Sequence, residues 1–139
     1  MKSKNKKHVA LYIRTSIEDG VEYIDVQKDK LKKFCLMQGY VCNDKYVYED
    51  IGCSGTWEVN DRLELKKLLC DAEKGKLEMV IVYKIDRLAR NLRILLNTIE
   101  DLNKLGVAFK SVMEPIDSST PFGNSMINML GVLQRWEGN

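Results

Sequence analysis

The sequence predicts an α/β fold, in which a mostly parallel central sheet of four to five strands is flanked by helices. Two observations lead to this prediction. Apolar runs rich in β-branched residues alternate along the chain with stretches of helical periodicity. Three of those helical stretches also run into a glycine that is followed by another strand-like run. Strands that alternate with helices are typical of βαβ units, and one such domain fits a chain of 139 residues.

Each element is predicted from its own pattern. We expect strands at about His8–Ile13, Val41–Glu49, Met79–Lys84 and Val107–Met113. We expect helices at about Asp25–Gln38, Arg62–Lys74, Arg87–Leu105 and Pro121–Glu137. The α/β domain should then span residues 8–120, after a basic tail at residues 1–7 and before a last helix within residues 121–139.

The third helix has the clearest periodicity. Its leucine and isoleucine residues recur at spacings of three and four, which predicts one apolar stripe against the sheet: Leu88, Leu92, Leu95, Leu96, Ile99, Leu102 and Leu105. Asp86 precedes this helix and is predicted to be its N-cap. We therefore expect one continuous helix from Arg87 onward.

The last helix is apolar on more than one side. Its main stripe is predicted to contain Phe122, Met126, Met129, Leu130, Leu133 and Trp136. Ile127 and Val132 add apolar surface elsewhere. Such a helix needs two partner surfaces, so it is either a central core helix or a subunit interface. We favour the subunit interface.

Composition excludes several classes of protein. The chain has no apolar run long enough to cross a membrane, and its start, MKSKNKKH, lacks the apolar stretch of a secretory signal. We expect a cytoplasmic protein without a membrane partner.

The net charge of +2 is too small for a histone-like protein that binds its partner by bulk electrostatics alone. A local basic cluster suits a phosphate-bearing partner, although a solvated helix face would look the same: Lys84, Arg87, Arg90 and Arg93.

The residue patterns of metal and nucleotide sites are missing from the sequence. None of the four cysteines forms a C-x-x-C pair, so we interpret them as reduced, structural thiols: Cys35, Cys42, Cys53 and Cys70. The sequence contains no D-x-D, no H-x-x-x-H and no G-x-x-x-x-G-K-[ST] loop. We therefore predict no metal and no small-molecule cofactor.

Two segments could carry chemistry. Arg14 and Ser16 lie at the carboxyl end of the first predicted strand, where open α/β sheets bind ligands. A serine there is more often a turn residue than a nucleophile.

Arg87 and Arg90 lie three apart at the start of the third helix, where two guanidinium groups and free N–H groups would bind a phosphate. A solvated arginine pair is the alternative. Together the segments suit attack by a serine on a phosphodiester, with arginines offsetting the negative charge.

The chain resembles the catalytic domain of the serine site-specific recombinases, the resolvase and invertase group, and most of all the large serine integrases and transposases. The motifs that carry this resemblance are, in order, Tyr12-x-Arg14-x-Ser16, Gln27, Asp50-x-Gly52-x-Ser54-Gly55, Arg62, Val82-Tyr83-Lys84-Ile85-Asp86-Arg87-Leu88-x-Arg90-Asn91, Phe109-x-Ser111-x-x-Glu114-x-x-Asp117, Gly123 and Trp136-Glu137. They extend over most of the chain, so together they are far more specific than any one of them.

The resemblance implies a role for each site residue. Ser16 would attack a DNA phosphate and form a 5′-phosphoseryl link with release of a 3′ hydroxyl. Arg14, Arg87 and Arg90 would bind the non-bridging oxygens of that phosphate. Asp86 would orient the arginines.

The resemblance also implies the surroundings and the partners. Arg62 and Gln27 would complete the site around the reacting groups. The partners would be double-stranded DNA and a second copy of the chain, with two dimers forming a tetramer that exchanges strands without ATP or metal. Residues 121–139 would begin the long dimerisation helix.

The chain departs from the family pattern at three places. The family often has threonine and then glutamine soon after the nucleophile, whereas Ser16 is followed by Ile17-Glu18-Asp19-Gly20. Leu63 stands where proline is common, and Gly138 follows Glu137 where arginine is usual. We expect a fragment of a longer protein, without the DNA-binding domain and poor at recombination alone. The alternatives are a non-catalytic dimerising DNA-binding or regulatory module and a nucleotide-phosphate binder or hydrolase.

Overall fold

The structure is a computed structural model that describes residues 7–16, 22–54 and 57–137. The segment Ile17–Gly20, where the chain departs from the family pattern, and residues 1–6 of the basic tail lie outside the described residues. The elements are β1 (His8–Thr15), α1 (Glu22–Gln38), β2 (Val41–Ile51), a 3₁₀ turn (Val59–Asp61), α2 (Leu63–Glu73), β3 (Met79–Val82), α3 (Ile85–Leu88), α4 (Leu92–Lys104), β4 (Ala108–Ser111) and α5 (Pro121–Glu137).

The sheet confirms the predicted fold class. In the described ranges it has four strands in the order β2-β1-β3-β4, and all neighbouring strands are parallel. Val9 of β1 pairs with Cys42 of β2 on one side and with Met79 of β3 on the other. The chain passes from one side of β1 to the other between β2 and β3. The carboxyl ends of β1 and β3 therefore flank a topological switch point, where α/β proteins bind ligands.

Both faces of the sheet are buried. The face toward α2, α4 and α5 is lined by Ala10, Tyr12, Val80 and Val82. The face toward α1 is lined by Val9, Leu11, Ile13, Met79 and Ile81. Because both faces are covered, β1 and β3 are nearly continuous apolar runs, as parallel strands usually are.

The predicted third helix is broken in two, and this prediction was wrong. The four-residue helix α3 ends at Leu88, and Ala89 is extended with φ −161° and ψ 145°. Helix α4 begins after Asn91, whose side-chain oxygen accepts a hydrogen bond from Ile94 N at 3.1 Å. The leucine spacing concealed the break because Leu88 and Leu95, one on each side of it, reach the same core.

Asp86 is also not the N-cap that the sequence predicted. Lys84 occupies the N-cap position of α3, and Asp86 lies inside its first turn. Asn91 caps α4 instead, through its side chain.

Helix α5 has the two apolar faces that its sequence indicates, although they divide differently from the prediction. The buried face consists of Met126, Ile127 and Leu130, which pack on the core. The second face, called here the outer face of α5, is exposed and consists of Phe122, Met129, Val132, Leu133 and Trp136. The predicted stripe of six residues is thus split between the core and the outer face.

Gly123 fixes where α5 lies. A Cβ atom at this position would come within 1.9 Å of the main-chain oxygen of Asp117. Only glycine allows this approach of α5 to the loop after β4.

No helix in the described ranges has the length and hydropathy needed to span a membrane.

Candidate active site

Ser16 lies at the carboxyl end of β1. It directly follows the last residue of β1 and is partly exposed. The main-chain oxygen of Thr15 accepts a hydrogen bond from Cys53 N at 2.9 Å, which joins the segment after β2 to the end of β1. Only Tyr83 and Lys84 separate β3 from α3. The carboxyl end of β1 and helix α3 are therefore neighbours.

Arg14 is buried at 0% exposure and donates to three main-chain carbonyls. Its Nε contacts Arg87 O at 3.2 Å, its Nη1 contacts Cys53 O at 2.8 Å and its Nη2 contacts Asp86 O at 2.5 Å. Burial lowers the pKa of the Arg14 guanidinium, and the charges of Arg87 and Arg62 lower it further. An arginine remains charged even so. Arg14 therefore supplies a fixed positive charge beneath the end of β1.

Arg87 also donates a hydrogen bond to the main chain of Arg14. Its Nη1 donates to Arg14 O at 3.2 Å, and its Nε donates to the Asp86 carboxylate at 3.2 Å. The Arg87 guanidinium also lies 4.9 Å from the centre of the Tyr23 ring, a cation–π distance. Gln27 Nε2 donates to the same Arg14 oxygen at 3.3 Å. The structure therefore brings together four of the predicted site residues, namely Arg14, Gln27, Asp86 and Arg87.

Arg62 forms a second buried layer with two residues that our sequence-based site did not include. Its Nε and Nη2 donate to the Tyr12 hydroxyl at 3.2 and 2.9 Å. Tyr12 in turn donates to the Asp50 carboxylate at 2.7 Å. Burial is the main cause that raises the pKa of the Tyr12 phenol, so it stays protonated. Tyr12 and Asp50 were missed as site residues, although the alternation of Tyr12 with Arg14 along β1 already indicates that they share a face.

Asp50 also organises the start of α2. Its two carboxylate oxygens accept from Glu64 N at 2.9 Å and from Leu65 N at 3.0 Å. This satisfies two of the free N–H groups at the helix start. One carboxylate thus links the end of β2, the phenol on β1 and helix α2.

Helix α3 is held at both ends. The main-chain oxygens of Asp86 and Arg87 accept from Arg14, and that of Leu88 accepts from Arg62 Nη2. At the other end, Ile85 N donates to the Glu114 carboxylate at 3.0 Å. These bonds satisfy the end groups that a one-turn helix cannot pair internally.

Ser111 supports this arrangement from β4. Its hydroxyl is buried and donates to the same Glu114 carboxylate oxygen that accepts from Ile85 N. Ser111 and Glu114 belong to the motif after β4, but the sequence alone indicated no contact between them and α3.

Arg90 does not lie in a helix with Arg87, so the prediction that both arginines begin the third helix was wrong. Arg90 lies between α3 and α4 and is exposed, whereas Arg87 is only 6% exposed. The site therefore has three buried arginines, Arg14, Arg62 and Arg87, and an accessible arginine, Arg90, at its rim.

Two buried polar atoms, Gln27 Oε1 and Arg62 Nη1, have no hydrogen-bond partner among the described residues. Within residues 7–16, 22–54 and 57–137, no group of three His, Cys, Asp or Glu side chains could hold a metal ion. The chemistry this arrangement can perform is stabilisation of negative charge beside a serine hydroxyl.

Comparison with known proteins places this geometry in a family. The family model described as "Resolvase, N terminal domain" matches residues 9–139. A probable DNA-invertase, y4cG, of Sinorhizobium fredii is 35% identical over 126 residues, which cover 91% of this chain and 36% of that protein. The serine recombinase gin of Escherichia phage Mu is 32% identical over 127 residues, which cover 91% of this chain and 58% of that protein. The chain thus spans well under two thirds of the length of these relatives.

Solved structures agree with the sequence relatives. The N-terminal catalytic domain of TP901-1 integrase superposes with a TM-score of 0.83 at 32% identity, covering 94% of this chain and 96% of that one. A resolvase family site-specific recombinase from Streptococcus pneumoniae gives a TM-score of 0.80 at 30% identity, covering 95% of this chain and 88% of that one. With a family match over nearly its whole length and the same fold in both structures, the chain belongs to the resolvase N-terminal domain family.

Proposed function

We propose that the chain is the catalytic domain of a site-specific DNA recombinase, which cleaves and rejoins DNA through a 5′-phosphoserine intermediate. The observation that carries the proposal is the interlocking of the end of β1 with α3. Arg14 lies two residues before Ser16, and its guanidinium and its carbonyl both engage Arg87. These contacts place Ser16 in rigid, positively charged surroundings. This reaction would serve the integration, excision, inversion or transposition of DNA.

The proposed reaction balances without a co-reactant. The Ser16 oxygen bonds to the phosphorus and loses its proton, and the bond from phosphorus to the 3′ oxygen breaks. The 3′ oxygen leaves as a hydroxyl, and the 5′ phosphate stays on the serine as an ester. Attack by a 3′ hydroxyl on that ester reverses each step and releases Ser16. Because a phosphoester is kept throughout, rejoining needs no ATP.

Each arginine would stabilise the negative charge of the reacting phosphate in a different way. Arg90, at the rim, is accessible to a phosphate oxygen, and Arg87 lies between the rim and the core. Arg14 donates to carbonyls, so it acts by its charge and by holding α3 in place. Asp86, with a half-exposed carboxylate 3.2 Å from Arg87 Nε, orients that arginine. Fixed charges of this kind stabilise a transition state without reorganisation.

The proposed partners are double-stranded DNA and further copies of the chain. The outer face of α5 supports self-association, since its apolar side chains are exposed in the single chain, including Trp136 at 80%. We place the dimer contact on this face, with two dimers forming the tetramer that exchanges strands.

A second candidate is a non-catalytic DNA-binding or regulatory module of the same fold. The observation that favours it is the complete burial of Arg14, whose Nε, Nη1 and Nη2 all donate to main-chain oxygens. Covalent trapping of DNA on Ser16 distinguishes the two, because a binding module forms no ester. The proposed enzyme also forms that ester in the presence of a metal chelator.

A further inference from the structure

Tyr23 lies beside the candidate site, in the first turn of α1. The predicted first helix did not reach this residue, whereas α1 begins at Glu22. Gln27 follows Tyr23 by four positions, and residues four apart lie on the same side of a helix. Gln27 is buried and its side chain donates to Arg14 O at 3.3 Å. The Arg87 guanidinium lies over the Tyr23 ring, with 4.9 Å between its central carbon and the ring centre. This side of α1 therefore contacts both Arg14 and Arg87.

The Arg87 guanidinium is surrounded by positive charge. Burial is the main cause that lowers the pKa of Arg14, and the charge of Arg87 is the next cause. The two guanidinium groups therefore repel each other. The carboxylate that pairs with Arg87 is that of Asp86, at 3.2 Å, and the side chain of Asp86 is 44% exposed. Water screens part of the attraction in so exposed a pair. The Tyr23 ring supplies a further attraction for the same cation.

An aromatic ring stabilises a cation without cancelling its charge. The attraction arises between the positive charge and the quadrupole of the ring, so it needs no charged partner and no acceptor oxygen. A second carboxylate in the place of Tyr23 would also hold Arg87, but it would neutralise the charge that is to meet a phosphate. A ring suits a cation that must stay both fixed and positive.

We propose that Tyr23 is a positioning residue of the reaction, whose ring holds the Arg87 guanidinium in place through a cation–π contact and preserves its positive charge. Asp86 binds Arg87 Nε, and Arg14 O binds Arg87 Nη1. The ring adds a third contact, from a helix that neither of the other two partners belongs to. The effect of Tyr23 on DNA cleavage rests on the proposed function, whereas its contact with Arg87 is measurable without DNA.

The contact itself is tested by urea unfolding of the full chain, of Tyr23→Leu, of Arg87→Met and of the double variant. Leucine keeps apolar bulk without the ring, and methionine keeps much of the length without the charge. Tyr23→Leu should lower the folding equilibrium constant about 2- to 30-fold more in the unmodified chain than in Arg87→Met. Equal effects in the two backgrounds overturn the proposal.

A second measurement needs no variant of Arg87. Protons held over the face of an aromatic ring resonate upfield in nuclear magnetic resonance spectra. The side-chain protons of Arg87 should therefore move downfield in Tyr23→Leu and keep their position in Tyr23→Phe. Arg87 signals that do not move in Tyr23→Leu overturn the contact.

The positioning role is tested by the rate of covalent adduct formation on nicked DNA, with the chain fused to a DNA-binding module of known site. Tyr23→Leu should slow adduct formation at saturating DNA about 10- to 100-fold, because a displaced guanidinium no longer meets the reacting phosphate. The Kd for DNA should change little, since Tyr23 acts on the position of Arg87 and the fused module holds the DNA. Tyr23→Phe should rescue the rate, because phenylalanine keeps the ring.

Tyr46→Leu is the matched control, since the Tyr46 ring contacts a different cation, Lys45, at 5.2 Å. This variant should keep the rate of adduct formation. A normal rate in Tyr23→Leu, or a failure of Tyr23→Phe to rescue it, overturns the positioning role. An unmodified chain that forms no adduct contradicts the proposed function, and the positioning role falls with it, while the contact measured by unfolding would still stand.

Discussion

Arg14 and Arg87 each donate a hydrogen bond to the main-chain carbonyl of the other, at 3.2 Å in both directions. Two guanidinium groups packed together would repel if each faced the other directly. Here each faces a carbonyl dipole instead, and Arg87 also has the Asp86 carboxylate. The reciprocal contact ties strand β1, which ends directly before Ser16, to helix α3, which carries Asp86. Disturbing either side chain should therefore disturb both elements.

Replacing Arg87 or Arg90 with lysine should reduce DNA cleavage about 100-fold or more, because a point charge cannot reproduce a guanidinium fork. For Arg87 the loss includes the bonds to Arg14 O and to Asp86. The measurement is the rate of covalent adduct formation on nicked DNA. Arg93→Lys is the control, since Arg93 is exposed and pairs with Glu58 at 2.7 Å. Near-normal rates in both test variants would contradict the phosphate-binding role.

Unfolding free energy should fall as the pH rises above 10. The pKa of Tyr12 is raised in the folded chain, so above pH 10 the unfolded chain loses a proton that the folded chain keeps. Each such tyrosine contributes a loss of about 1.4 kcal/mol per pH unit. Burial likewise raises the pKa of Tyr48.

Tyr12→Phe separates the two tyrosines. We expect urea unfolding at pH 10 to 11.5 to show a slope reduced by about 1.4 kcal/mol per pH unit in this variant. At neutral pH the same variant should be less stable by about 2 kcal/mol, because Arg62 and Asp50 lose a buried partner. An unchanged slope would show that Tyr12 ionises freely in the folded chain.

Much of the fold follows from periodicity, and the exceptions have physical causes. The parallel sheet was predicted from the alternation of strand-like and helical stretches, and the position of Ser16 at the carboxyl end of β1 follows from the bounds of that strand. The break between α3 and α4 was not predicted, because Leu88 keeps the spacing of a continuous helix. The carbonyls at the end of α3 accept hydrogen bonds from the side chains of Arg14 and Arg62 instead of from the N–H groups of a next helical turn. Side-chain bonds between residues far apart in sequence leave no local signal. The link from Tyr12 to Asp50, separated by 38 positions, is of this kind.

Gly123→Ala should destabilise the chain by about 1–3 kcal/mol, since its Cβ would lie 1.9 Å from Asp117 O and α5 or the loop must move. Gly131→Ala, in the same helix, meets nothing closer than Arg135 Nη1 at 4.0 Å and should be neutral or stabilising. Thermal unfolding of both variants tests the difference. Equal effects would contradict the close approach at Gly123.

Trp136→Glu should weaken self-association without lowering the stability of the single chain, because Trp136 is 80% exposed. Sedimentation velocity over a range of concentrations measures the effect. Asn128→Glu, an exposed position of α5 outside the outer face, is the control for added charge. A dimer that forms equally well with Trp136→Glu would place the contact elsewhere.

The central claim, that Ser16 is the nucleophile, is tested most directly by trapping it. The chain, fused to a DNA-binding module of known site, is incubated with nicked suicide DNA and a metal chelator, and the adducts are mapped by mass spectrometry. Ser16→Ala is the test variant, and Ser54→Ala controls for loss of a hydroxyl from another partly exposed serine. We predict a DNA-linked Ser16 peptide in the unmodified chain and in Ser54→Ala, and none in Ser16→Ala. Tight, site-specific DNA binding with no adduct on Ser16 would contradict the account.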